Sequence, residues 1–190
     1  VFRRQRQMCI RDSPGGAIVT NNAEIAEKID SIAFPGMTAN FDAAKSAALA
    51  VTMLDWKEFG KEYVNEMVLM SKTLASSLEE YDIPIFFGAL GHTQSHQFAV
   101  LAEEFGGGQR ASKLLRKSGF LACGIGLPVK DLVGDMNGLR FGTPELVRWG
   151  MQAKHSNKLA GLVAKALKGY NVLDQVSEWR RTFNKIHFVN

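Results

Sequence analysis

The sequence is poor in cysteine, with two in 190 residues, Cys9 and Cys123, and neither belongs to a Cys-x-x-Cys or lies near a matching histidine pair. Neither a disulfide framework nor a zinc site is supported, so a reducing, cytoplasmic setting is expected. No apolar run approaches the roughly 18 residues of a membrane span, and the start lacks the apolar core of a secretion signal. Internal repeats and low-complexity stretches are absent as well. Charge is scarce outside the head: of the formal +4, residues 1–13 carry Arg3, Arg4, Arg6 and Arg11 against Asp12. The rest of the chain is close to neutral. It has no basic stripe interleaved with aromatics, only pairs such as Arg116-Lys117 and Arg180-Arg181, so neither nucleic acid nor membrane is an expected partner.

What is present suits a folded enzyme of modest size. With 46% hydrophobic and 22% charged residues the chain can bury one substantial core and a small second one. Residues 1–13 show neither a helical nor a strand period and read as a non-native or disordered head, similar to translated sequencing-adapter sequence. From Pro14 the pattern becomes regular. Ala17-Ile18-Val19-Thr20 reads as a short strand, and Asn21 with Glu24 as a capping box opening a helix with Ile25, Ile29 and Ile32 on one face. Phe34-Pro35-Gly36 breaks it, and Met37-Thr38-Ala39-Asn40 is a polar loop.

An alanine-rich segment from Ala43 to Leu54 precedes Asp55-Trp56-Lys57, after which Phe59, Tyr63, Met67, Met70, Leu74 and Leu78 recur at spacings of three and four. That stripe predicts a long amphipathic helix facing a core. It ends at Tyr81-Asp82-Ile83-Pro84. Beyond it the pattern predicts a strand over 96–101, a helix over 109–117, and strands over 120–123 and 138–142. Thr143-Pro144-Glu145 reads as a capped start of one helix reaching about Leu167, and a last helix covers 173–185. The order of elements gives an α/β to α+β class with a boundary near residue 56.

Most polar clusters carry little chemistry. Gly106-Gly107-Gly108-Gln109-Arg110 is glycine-rich before a helix, but it lacks Gly-Lys-Ser/Thr, so a strand-to-helix turn is favoured over a phosphate site. His92 and His96 are four apart in a segment that is not helical, and Asp131 and Asp135 read as solvated loop residues. No metal site is expected. Arg140 is different. It sits alone in the apolar strand Gly138-Leu139-Arg140-Phe141-Gly142, and a partly buried guanidinium needs an anion. Its planar fork suits a carboxylate, either a substrate's or that of a structural partner.

Gly138-Leu139-Arg140-Phe141-Gly142-Thr143-Pro144 with Arg148-Trp149-Gly150-Met151 resembles a signature of the serine hydroxymethyltransferase family, where the arginine holds the amino-acid carboxylate. Pro14-Gly15-Gly16-Ala17-Ile18, Phe34-Pro35-Gly36 and Thr93-Gln94-Ser95-His96 resemble further blocks of that family in the same order, over about residues 14–170. The resemblance implies a fold-type I pyridoxal-phosphate enzyme. Residues 14–55 would be the end of its cofactor-binding large domain, and 56–190 a long connecting helix with the small α+β C-terminal domain. It implies an amino-acid substrate at Arg140, a homodimer or tetramer, and chemistry at the Cα–Cβ bond of β-hydroxy amino acids, as in serine/glycine interconversion.

The departures from the family matter too. The family's cofactor lysine precedes the glycines that Gly15 and Gly16 resemble, yet the first lysine here is Lys28, in the next helix. Without that amine the chain as written is expected not to catalyse. Where the family places glycines for the cofactor phosphate stand Met37-Thr38-Ala39-Asn40-Phe41, of which Thr38 and Asn40 carry side-chain donors. The family's polar folate-side loop is matched by Cys123-Gly124-Ile125-Gly126-Leu127-Pro128, without the polar side chains that would read tetrahydrofolate. A folate-independent threonine aldolase or transaldolase of the same family is therefore the alternative activity. From another class, a non-catalytic dimer-partner or binding module also fits.

Overall fold

The computed structural model describes residues 18–37 and 43–189, and the chain divides into two compact units at the Leu54–Asp55 bond. In the first unit, α1 spans Ala23–Ser31. Its cap is Asn22, whose side chain accepts from the Ile25 amide at 3.1 Å, rather than Asn21. The shift has a local cause: the Thr20 hydroxyl accepts from the Asn22 amide and sets the turn one residue later. Residues 18–20 are not a strand, because no neighbouring strand among the described residues offers a ladder. The helix gives way through Ile32–Met37, where Phe34 is extended (φ −144°, ψ 127°), as the residue before a proline prefers.

Helix α2 runs unbroken over Ala43–Glu79. The alanine-rich segment and the amphipathic stripe are one element, since nothing at Asp55-Trp56-Lys57 removes an amide donor or frees the backbone. No described residue before Gly60 is buried, and Leu49, Val51, Met53 and Leu54 stand exposed. From Tyr63 onward the stripe is core: Tyr63, Met67, Met70, Leu74 and Leu78 are all buried. The chain leaves the helix with the Tyr81 and Ile83 amides both donating to the Leu78 carbonyl.

The second unit is built on a three-stranded antiparallel sheet in the order β1-β3-β2, with β1 at Gln97–Leu101, β2 at Cys123–Ile125 and β3 at Gly138–Gly142. Phe98 faces Phe141 and Val100 faces Leu139 across the ladder. These four side chains are buried on one face, and the two phenyl rings stack at 5.4 Å. Helices α3 (Gly108–Lys117), α4 (Pro144–Arg148), α5 (Ser156–Leu167) and α6 (Leu173–Arg181) complete the unit. Ala111, Leu115, Leu159, Val163 and Val176 join the same core. Burying that set is the main stabilising term.

Four further expectations are corrected. Strand β2 starts at Cys123, three residues later than the expected 120–123, because the Phe120 amide still closes α3 on the Leu115 carbonyl. The single helix expected from 144 to 167 is two, parted at Gly150. That glycine takes φ +86°, with its own amide on Val147 and the Met151 amide on Leu146. Thr143 does not cap α4 with its side chain. Its hydroxyl lies 2.8 Å from the Met67 carbonyl and 3.0 Å from that of His96, and so ties the end of β3 to α2. Helix α6 ends at Arg181, four residues early.

His155 links α5 to α6. Its Nδ1 accepts from the Gln152 amide at 3.0 Å, and its ring meets Trp179 and Phe183 edge-on. Burial, then the charges of Lys154 and Lys158, hold its pKa below the ordinary 6.5. A histidine depressed in the folded state takes up a proton on unfolding, so its stabilisation is complete above pH 6.5 and is lost as pH falls through the folded value. The urea midpoint is expected to drop from about pH 7.5 to about pH 5. A His155→Phe variant should lose much of that slope. An equal slope in the variant would assign the pH dependence elsewhere.

Candidate functional site

Side chains alternate across a strand, so with Leu139 and Phe141 turned into the core, Arg140 projects from the opposite face of the sheet. It occupies the central strand. Its register partners are Ala99 on β1 and Cys123 on β2, both half-buried on that face. Arg140 is itself half-buried.

The strand is fixed at both ends. Beyond it, Thr143 holds α2, and the Tyr63 hydroxyl donates to the Pro144 carbonyl at 2.9 Å. Arg148, part of the same sequence signature, has a structural task. Its guanidinium lies 4.6 Å from the Tyr63 ring centre and donates to the Phe188 carbonyl at 2.7 Å, tying the C-terminal tail to α2. Before the strand, Asn137 is buried and uses its whole carboxamide. Oδ1 accepts from the Leu127 amide at 2.7 Å, and Nδ2 donates toward the carbonyls of Leu127, Val129 and Lys130 at 3.0–3.3 Å.

Asp135, a loop residue, has a structural task. Its carboxylate accepts from the Gln109 amide at 2.9 Å, the Arg110 amide at 3.1 Å and the Met136 amide at 2.6 Å. Partial burial raises its pKa, but the three amides and the charge of Lys113 outweigh that and hold it below the usual carboxylate range. The carboxylate thereby fills the start of α3, the place in the glycine-rich turn where a phosphate would otherwise sit. That turn is structural. His92 pairs with Glu79 at 2.6 Å, and His96 is exposed at the head of β1 with its carbonyl accepting from Thr143. Thr93 donates to the Gln97 carbonyl and accepts from the Ser95 amide, shaping the turn into β1. Thr38 and Asn40 lie outside the described residues. Among the described residues no helix is long and apolar enough to cross a membrane.

No protein-family model matches the chain. Curated proteins do. An alpha-methylserine aldolase from a Ralstonia species is 54% identical over 179 residues, covering 92% of this chain and 41% of its own length. A second, from Variovorax paradoxus, is 48% identical over 177 residues, covering 92% and 40%. A serine hydroxymethyltransferase of Saccharolobus islandicus is 33% identical over 180 residues, covering 92% and 42%. Among solved structures, L-threonine transaldolase from Pseudomonas fluorescens superposes with a TM-score of 0.76 at 22% identity, over 90% of this chain and 40% of that one, a likeness of fold. The chain spans about two fifths of the length of the relatives it matches.

Proposed function

We propose that this chain, a homologue of the alpha-methylserine aldolases and serine hydroxymethyltransferases, is the C-terminal part of a longer enzyme acting on the Cα–Cβ bond of β-hydroxy amino acids. In this reading Arg140 holds the substrate carboxylate. The carrying observation is the 54% identity to an alpha-methylserine aldolase over a segment whose central strand presents Arg140 on the face away from the core. Two parallel N–H···O bonds from the fork would fix the carboxylate plane and, through it, the direction of the Cα–Cβ bond.

Pyridoxal phosphate is the cofactor the homology points to, and its chemistry is to accept the electron pair released when that bond breaks. The described residues do not form a site for it. Lys28 and Lys45 are on exposed helical positions, and the start of α3 is filled by Asp135. The chain contributes the substrate's anchor, and the cofactor's lysine belongs to the remainder of the longer protein. That remainder would also cover residues 18–54, which carry exposed Ile18, Val19, Ile32, Phe34 and Leu54 and bury none of their described residues. Residues up to 55 are then the end of the large domain. A homodimer or tetramer is the assembly this reading carries.

The apolar segment from Cys123 to Pro128 and the higher identity to the aldolases both favour aldol cleavage without folate over hydroxymethyl transfer. The test joins residues 14–190 to the first three fifths of the Ralstonia aldolase. The joined protein should cleave α-methylserine with no acceleration by tetrahydrofolate. Strong, saturable folate stimulation would instead assign ordinary hydroxymethyl transfer, and a cofactor-loaded protein that cleaves neither α-methylserine nor serine would overturn the enzymatic reading.

A further inference from the structure

Beyond α6 the chain returns across the second unit, and its hold there is narrow. From Asn184 to Val189 every residue is exposed except Phe188, which is half-buried. Among the described residues this stretch hydrogen-bonds to the rest of the unit only at Arg148. The His187 amide donates to the Arg148 carbonyl at 2.8 Å, and Arg148 Nη1 donates to the carbonyls of Phe188 at 2.7 Å and His187 at 3.5 Å. The Phe188 ring stacks on Tyr63 with centroids 5.1 Å apart. The His187 ring lies over Gly150, where a Cβ would sit 2.8 Å from its Nε2. Phe188 makes its contacts from left-handed backbone, φ +61°, a region that bulky residues avoid because Cβ crowds the following carbonyl.

The surface beneath is complete without this stretch. The Thr143 hydroxyl on the Met67 carbonyl and the Tyr63 hydroxyl on the Pro144 carbonyl join α2 to the start of α4, and neither bond involves residues 184–189. Lifting the stretch removes one half-buried ring from the edge of the core and no strand pairing. We propose that residues 184–189 form a strap that opens and closes on Tyr63 and Arg148 while the rest of the second unit stays folded, with the strained Phe188 as its latch. In the open state the Tyr63 ring is uncovered beside Trp56, whose ring lies 5.7 Å away, and the Arg148 guanidinium exchanges two carbonyls for water. Segments held by few apolar contacts and by exposed hydrogen bonds open locally, without global unfolding. A left-handed aromatic residue persists only while its surroundings hold it there, so loss of the stack also removes the reason for the strain. The strap stands apart from the reading of Arg140.

Amide hydrogen exchange of the whole chain, followed residue by residue by NMR, tests the strap. The His187 amide, though hydrogen-bonded, is expected to exchange about 100-fold faster than those of Val100 and Leu139, a fully buried ladder pair, as opening without global unfolding requires. Phe188→Ala should accelerate His187 about tenfold further, the contribution of the stacked ring, and leave Val100 and Leu139 unchanged. Phe188→Gly should accelerate it less than Phe188→Ala does, because glycine takes left-handed backbone without steric cost. Exchange of His187 in step with Val100 and Leu139 would make residues 184–189 part of one cooperative core and overturn the proposal. An unchanged His187 rate in Phe188→Ala, or a Phe188→Gly rate no slower than that of Phe188→Ala, would equally overturn Phe188 as a strained latch.

Discussion

Gly108→Ala is expected to destabilise the second unit strongly. A Cβ at 108 would collide with the Gly138 carbonyl oxygen and approach the Gly124 Cα at 3.0 Å. Both obstacles are backbone of the central and neighbouring strands, so no rotamer change relieves them. Overpacking with yielding side chains costs about 1–3 kcal/mol, and a backbone obstacle belongs at or beyond the upper end. A loss of about 3 kcal/mol should lower the melting temperature by roughly 6–12 °C. Gly126→Ala is the control. With no atom within 4 Å of its Cβ and no left-handed backbone requirement, it should be neutral within about 0.5 kcal/mol. Equal melting temperatures for the two variants would show that α3 does not approach the sheet as described.

Arg140→Ala and Arg140→Lys, made in the joined enzyme, should fold and take up cofactor but lose amino-acid affinity. Lysine keeps the charge and gives up the two-pronged geometry; alanine gives up both. Hydrogen bonds to charged groups contribute about 1.5–3 kcal/mol each, so the dissociation constant should rise by one to two orders of magnitude, roughly the ratio of one such bond. Amines without a carboxylate should bind almost as before. If Arg140→Ala unfolds the protein while the surviving fraction keeps normal affinity, the arginine is a structural ion-pair partner.

Local signals were legible in proportion to how locally they act. Apolar alternation around Arg140 marked β3 at its observed bounds, Gly138–Gly142, and the stripe from Tyr63 to Leu78 marked the buried face of α2. Two readings were changed by distant partners. Thr143 carries a strong cap signal, yet its hydroxyl turns to Met67, 76 residues earlier. Asp135 resembles any loop aspartate until α3, some 25 residues before it, brings the Gln109 and Arg110 amides into reach. Tertiary partners redirected side chains whose local preferences pointed elsewhere. The break at Gly150 was more accessible: Trp149-Gly150 interrupts the helical pattern, and a glycine in left-handed conformation is a common helix terminator. Asn137-Gly138 is likewise a turn signal, but four hydrogen bonds to one loop cannot be read from a dipeptide.

The site shows the same limit. Arg140 could be singled out because a lone arginine in an apolar strand demands an anion, and that argument is local. The packing beside its strand could not: that Leu127 lies over Gly138 with its backbone held by Asn137 is a product of the fold.

The most direct test of Arg140 as the substrate's anchor is a crystal structure of the joined enzyme with glycine. The expected result is both glycine carboxylate oxygens at about 2.7–2.9 Å from two guanidinium nitrogens of Arg140. A glycine carboxylate held by other residues, with the Arg140 fork closed on a carboxylate of the protein itself, would contradict the account.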